Sequence, residues 1–211
     1  MIKGSLRSFK NWVTNILSYI QLIPILSTIK KGDVVIDCGA NVGVVTGYFA
    51  SKAAKVYSFE PDPNAFNRLN SKFAKNENVE CINKGVWKEK SRMKLYFHAE
   101  STEADISWSV GSSVIKEKGN VNSENYVEID LIDLAEFIDE LKTQVKVLKI
   151  DIEGAEIEVL NKLIDTDRFR KVDHILVETH ETKIAGQKPE LKKLRNRIKT
   201  EGIKNINLNW L

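Results

Sequence analysis

The chain has 211 residues and a mass of 24.0 kDa, which is the size of one domain. Hydrophobic residues make up 42% and charged residues 29%, so wholesale disorder is excluded. The net charge of +3 is too small to declare a nucleic-acid partner.

Lys3, Arg7 and Lys10 precede an apolar stretch from Trp12 to Leu26. That stretch holds Thr14, Asn15, Ser18, Gln21 and Pro24, too short and too polar for a membrane span. No small-residue cleavage site follows it, which argues against a signal peptide. Trp12, Val13, Ile16, Leu17 and Ile20 share one face at helical spacing. Residues 1–32 therefore read as an amphipathic helical segment packing on the core. The alternative is a basic anchor in peripheral contact with a membrane.

From Asp33 the pattern alternates between strands and helices. Val34–Ile36, Lys55–Phe59 and Val79–Ile82 read as strands, with helices over Val44–Lys52 and Pro63–Lys75. Met93–Phe97 and Tyr126–Ile129 read as extra strands flanking a polar insertion at 98–125. Helices are then predicted over Leu131–Leu141, Ala155–Leu163 and Pro189–Thr200. Strands are predicted over Val145–Ile150, His174–Val177 and Ile203–Leu208. This order predicts an α/β domain over 33–211, a mostly parallel sheet covered on both faces. Such sheets bind ligands beyond the carboxyl ends of their strands. Cys38 and Cys81 lie in apolar runs and form no C-x-x-C pair, so both read as reduced thiols of a cytoplasmic protein.

The residues that follow each strand carry the chemistry. Asp37-Cys38-Gly39-Ala40-Asn41-Val42-Gly43 follows the first. Two glycines and an asparagine permit a tight turn at a helix start, where free N–H groups favour an anionic ligand group. A dinucleotide fold wants a third glycine, and Val44 stands in its place, which argues against a nicotinamide oxidoreductase. The spacing is the tighter one associated with S-adenosylmethionine (SAM) methyltransferases. Glu60 lies 21 residues beyond Gly39, after the second strand, where an acid can accept from both ribose hydroxyls of a nucleoside.

Lys149-Ile150-Asp151-Ile152-Glu153-Gly154-Ala155-Glu156 places three acids at a strand's end. Such acids are costly unless solvated, paired or functional. Asp151 is the best placed to enter the cleft, and Glu156 reads as a partner of its helix dipole. Glu178-Thr179-His180 follows the next strand, with Glu178 and His180 on one side. A histidine beside an acid at a cleft is a general-base candidate.

Together these segments resemble the FkbM family of SAM-dependent methyltransferases. The matching runs are Ile36–Gly43, Phe59-Glu60-Pro61-Asp62-Pro63, Lys149–Glu156 and Val177–His180. Weaker similarity covers Gly111-Ser112-Ser113 and Val127–Leu134. The resemblance implies a Rossmann-like class I methyltransferase sandwich, with SAM donating a methyl group to a hydroxyl of a sugar, glycan or small natural product. It implies that Asp37, Gly39, Asn41, Gly43 and Thr46 line the methionine side. Glu60 would hold the ribose, with Asp62 and Val86 near the adenine.

On the acceptor side His180 is the expected base, oriented by Glu178 or Asp151. A variant has Asp151, Glu178 and His180 holding a divalent cation. Methyltransferases of this class usually end in an antiparallel hairpin. Only Ile203–Leu208 stands in its place, so the last strand is expected to be missing or supplied by a partner, as in a homodimer. Trp108 in the insertion is a candidate platform for a sugar face.

The alternative is an RNA methyltransferase gripping phosphates through 183–204, where eight basic residues face two acids. That run also reads as the solvated face of a helix packing through Leu191, Leu194 and Ile198, which argues against a nucleic-acid partner.

Overall fold

In the computed structural model, residues 19–52, 54–98, 112–115 and 121–210 are described. Helical residues 19–26 (α1) precede β1 (Val34–Cys38). Then come α2 (Val44–Ala50), β2 (Lys55–Phe59), α3 (Pro63–Phe73) and β3 (Val79–Ile82). Three further strands follow: β4 (Gly85–Trp87), β5 (Ser91–His98) and β6 (Val121–Asp133). The chain continues through α4 (Leu134–Glu140), β7 (Val145–Ile150) and α5 (Glu156–Asp165). It closes with β8 (Val172–Val177), α6 (Gln187–Thr200) and β9 (Ile206–Asn207).

The β-branched and apolar runs form one six-stranded sheet in the order β3-β2-β1-β7-β8-β9, every neighbouring pair parallel. Strand alternation sends successive side chains to opposite faces. Val35, Val56, Val147 and Leu176 pack with Leu22, Leu26, Phe49, Leu69 and Phe73 of α1–α3. Ile36, Leu148, Ile150, Ile175 and Val177 pack with Ile138, Leu160, Leu163, Leu191 and Leu194 of α4–α6. The result is the expected three-layer α/β sandwich. Its strand order reverses between β1 and β7, and that crevice is where a ligand is expected.

The N-terminal segment is described from Tyr19. Leu22, Leu26 and Ile29 are buried in the core, whereas Ile20 and Ile23 are exposed. Trp12, Val13, Ile16 and Leu17 lie outside the described residues. Among the described residues no helix is long and apolar enough to cross a membrane.

Apart from shifts of one or two residues at element ends, the structure differs from the sequence expectations in four places. Gly85–Trp87 is a strand, too short to show periodicity. It joins a second sheet in the order β4-β6-β5, parallel to β6, while β5 and β6 are antiparallel. The helix expected from Leu131 begins at Leu134, because the Asp133 side chain accepts from the backbone N–H groups of Ala135 and Glu136 and caps it there. Within the 98–125 insertion, Val121 onward belongs to β6, held by antiparallel pairing to β5. Trp108 lies outside the described residues. Finally, Ile203–Leu208 contributes only Ile206–Asn207 as a strand. It pairs parallel to β8, so no antiparallel strand intervenes between them among the described residues.

Candidate functional site

The turn after β1 is shaped by close approach. Gly39 has φ +76°, and a Cβ there would lie 1.7 Å from the Asp151 carbonyl oxygen. Only glycine fits, so the β1 and β7 ends abut across the crevice. The Asp151 N–H donates to the Cys38 carbonyl at 3.1 Å. Gly43, φ +76°, starts α2 where a Cβ would strike Phe73 and Leu69 of α3. Asn41 also adopts the left-handed region, with φ 49°. Non-glycine residues visit it at a cost, and asparagine visits it most readily.

Beneath this turn lies a buried polar chain. Thr46 donates to Asp37 Oδ2 at 2.7 Å, and Ser58 donates to the Thr46 hydroxyl at 3.3 Å. Lys149, next to the last residue of β7 and almost fully buried, donates to the Gly39 carbonyl at 2.7 Å. Its ammonium lies 3.3 Å from Asp37 Oδ1 and 3.3 Å from Asp151 Oδ2. Asp37 Oδ1 makes no hydrogen bond, so its contact with Lys149 is an ion pair without hydrogen-bond alignment. Burial works against the Lys149 charge, but Asp37 and Asp151 more than offset it and hold it protonated.

After β2, Glu60 turns back toward the same turn. Its Oε2 accepts from the Asn41 N–H and its Oε1 from the Asp62 N–H, both at 2.8 Å. Burial pushes its carboxyl up to about 8, against those two N–H donors. Asp62 caps α3, its Oδ1 accepting from the Asn64 and Ala65 N–H groups. Asn83 ties the Glu60 and Pro61 carbonyls from the β3 side. Val86 on β4 is buried in the core cluster with Phe59 and Cys38.

Across the crevice, the ends of β7 and β8 bring together Asp151, Glu178 and His180, whose potential ligand atoms all lie within 4.8 Å of one another. His180 is 2% exposed. Its Nδ1 is 3.0 Å from Glu156 Oε1. The same oxygen accepts from the Ile152 and Gly154 N–H groups, so Glu156 fixes both the 152–154 turn and the imidazole. His180 Nε2 faces Glu153 Oε2 at 3.2 Å, Glu178 Oε1 at 3.6 Å and Asp151 Oδ1 at 3.8 Å. None of these contacts is aligned as a hydrogen bond.

Burial disfavours a charged imidazole, but the Glu156 hydrogen bond and the charges of Glu153, Glu156 and Asp151 prevail and push His180 up to about 9. Burial, reinforced by Asp151, pushes Glu178 up to about 7. Glu153 has φ 57°, a left-handed backbone that a non-glycine residue adopts only when its surroundings impose it.

The insertion reaches this cluster. Ser113 pairs with Tyr96 of β5 through two backbone hydrogen bonds. Its hydroxyl donates to the Glu153 carbonyl at 2.7 Å and accepts from the Ile115 N–H at 3.0 Å. The second sheet thus docks on the turn that carries the acids.

Asp37, Gly39, Asn41, Thr46 and Glu60 therefore meet around one turn, and Asp151, Glu178 and His180 meet at the adjoining strand ends. Gly43 and Asp62 shape the packing and capping beside that turn, and Val86 sits deeper in the core. Sequence reasoning missed Lys149 as a hub and Glu156 as the partner of His180. The signals were present: a lysine inside an apolar strand, and an acid at a helix start two residues after a glycine.

On the basic segment, Arg195 is held by Asn209 and the Leu208 carbonyl. Arg197 pairs with Asp165 and Glu201, and Lys193 with Glu190.

Residues 37–203 match the family model described as the Methyltransferase FkbM domain. The hexuronic acid methyltransferase AglP of Haloferax volcanii is 28% identical over 157 residues, 74% of this chain and 59% of that protein. Methyltransferase 1 of Beauveria bassiana is 25% identical over 163 residues, 71% of this chain and 65% of that one. The chain thus spans about 59–65% of the length of these two relatives. Methyltransferase sdnD of Sordaria araneosa is 23% identical over 194 residues, covering 80% of this chain and 74% of its own. Among solved structures, the FkbM methyltransferase of Methylobacillus flagellatus KT matches 68% of this chain and 32% of its own, with a TM-score of 0.42 and 17% identity. With the family model covering most of its length, the chain belongs to the FkbM methyltransferase domain family.

Proposed function

We propose that the protein transfers a methyl group from SAM to a hydroxyl of a sugar, glycan or small natural product. Membership of a methyltransferase family supports the reaction class. The Haloferax volcanii relative, a hexuronic acid methyltransferase, supports a sugar-type acceptor. One observation carries the reading. The buried His180, oriented through Nδ1 by Glu156, turns Nε2 toward Glu178 and toward Asp151, whose backbone abuts the Gly39 turn.

SAM supplies an activated methyl group on a sulfonium, so the protein's work is to align the acceptor in line with it and to manage one proton. The Gly39–Gly43 turn receives the methionine side and Glu60 the ribose hydroxyls. Asp37, Thr46 and Lys149 hold the turn's shape from beneath. An aliphatic hydroxyl is a poor nucleophile and needs activation. The His180–Glu178–Asp151 cluster provides it. The hydroxyl oxygen takes the methyl group, its proton leaves through the cluster to water, and a neutral thioether remains.

The pairing of Arg195, Arg197 and Lys193 within the fold supports reading 183–204 as a helix face rather than a phosphate grip. Incubation with labelled SAM and a panel of uronic acids, neutral glycans, small hydroxyl compounds and RNA tests the proposal. Label in an ether product is expected. Label confined to RNA, or no SAM uptake, would refute it.

A further inference from the structure

Negative charge is concentrated at the ends of β7 and β8. Asp151, Glu153, Glu156 and Glu178 surround His180. Among the described residues, Lys149 and Lys183 lie within ion-pair distance of these acids. Lys149 is shared with Asp37 and the Gly39 carbonyl, and Lys183, half-exposed, stands 4.0 Å from Glu153. Like charges this close repel, and a bound cation relieves that repulsion.

We propose that Asp151, Glu178 and His180 bind one divalent cation. Their donor atoms share one small volume, all within 4.8 Å of one another. His180 Nε2 is buried, makes no hydrogen bond and is aimed into that volume. The other ring nitrogen is tied to Glu156 at 3.0 Å, the carboxylate–histidine arrangement that fixes tautomer and ring angle at metal centres. Glu156 in turn is held by the Ile152 and Gly154 N–H groups, so the imidazole is anchored before any ligand arrives.

Asp151 and Glu178 keep side-chain exposures of 25% and 30%, against 1% for His180, so the ligand set opens toward the crevice and leaves coordination positions for water or an acceptor. One imidazole with two carboxylates suits a cation of the Mn²⁺ type. The use of the site rests on the methyl-transfer reading: a cation held here would supply Lewis-acid help to the acceptor hydroxyl. Its occupancy does not depend on that reading.

The test uses the full chain and Mn²⁺ alone, with the free-ion paramagnetic resonance signal as readout. One Mn²⁺ per chain is expected at submillimolar free ion. Asp151→Asn and Glu178→Gln should each weaken it by at least ~10-fold. Thermal melting serves as the folding control, and Glu178, at the rim, is the safer variant. No uptake by the wild-type chain below millimolar Mn²⁺, or wild-type uptake by both variants, would overturn the site. If the methyl-transfer reading fails instead, Mn²⁺ binds while S-adenosylhomocysteine (SAH) does not. If only the cation site fails, SAH binds and Mn²⁺ does not.

Discussion

The two sides of the crevice are built on opposite principles. On the β1–β2 side, most polar groups answer one another by hydrogen bonds: Thr46 to Asp37, Asn41 and Asp62 to Glu60, Lys149 to Gly39, with Asp37 Oδ1 meeting Lys149 as an ion pair. On the β7–β8 side, four carboxylates crowd one imidazole, and its Nε2 finds no aligned partner. The first side is preorganised, so a ligand there meets a shape already fixed. The second side is frustrated, and such sites hold reactivity that the fold alone does not quench.

The largest effect should come from breaking the second side. His180→Gln is expected to lower methyl-transfer turnover by ~10²–10⁴-fold while SAH affinity, measured by calorimetry, stays near wild type. Loss of both together would mean that the two sides are not separable. Gly39→Ala should damage the first side structurally, because its Cβ would meet the Asp151 carbonyl at 1.7 Å on a left-handed backbone. A loss of several kcal/mol, on the order of 3 or more, is expected in thermal or urea unfolding.

Glu60→Gln should weaken SAH binding by roughly 10-fold, the cost of one lost hydrogen bond to a ribose hydroxyl. It should also change stability in a defined direction. Burial holds Glu60 up to about 8, above its ordinary value. A carboxyl raised in the folded state stabilises the fold at low pH, and that contribution is lost as pH rises through the folded value. The wild-type melting temperature should therefore fall between about pH 5 and about pH 8, and part of that fall should vanish in Glu60→Gln. An identical pH profile in both proteins would remove Glu60 as its source.

A smaller effect is expected from Ser113→Ala, which unpins the insertion from the Glu153 carbonyl. A loss of about 1 kcal/mol in stability would fit one buried hydrogen bond. A rise in acceptor KM would place the second sheet at the acceptor side.

The first side was the more legible in the sequence. Gly39, Asn41, Gly43 and Glu60 announce themselves by spacing, because a left-handed turn closely approached by its neighbours restricts residue type locally. Asp151, Glu178 and His180 were visible as polar residues just past apolar strands. What the sequence concealed was partnership between distant segments. Lys149 is one of two lysines in β7, and its role appears only once β7 is seated beside β1. Glu156 looked like a helix-dipole acid until the end of β8 placed His180 against it. Ser113 reaches Glu153 across 40 residues, through a second sheet whose strand Gly85–Trp87 is too short to show a period. Periodicity reveals which face is buried, but strand order decides what it meets.

The central claim is methyl transfer from SAM to an acceptor hydroxyl through the β7–β8 cluster. Its most direct test is methyl-labelled SAM with a uronic acid and glycan panel, followed by alkaline treatment that cleaves esters and spares ethers. The account predicts alkali-stable label with the wild-type chain and none with His180→Gln. Label that is lost in alkali, or equal yields from both proteins, would contradict it.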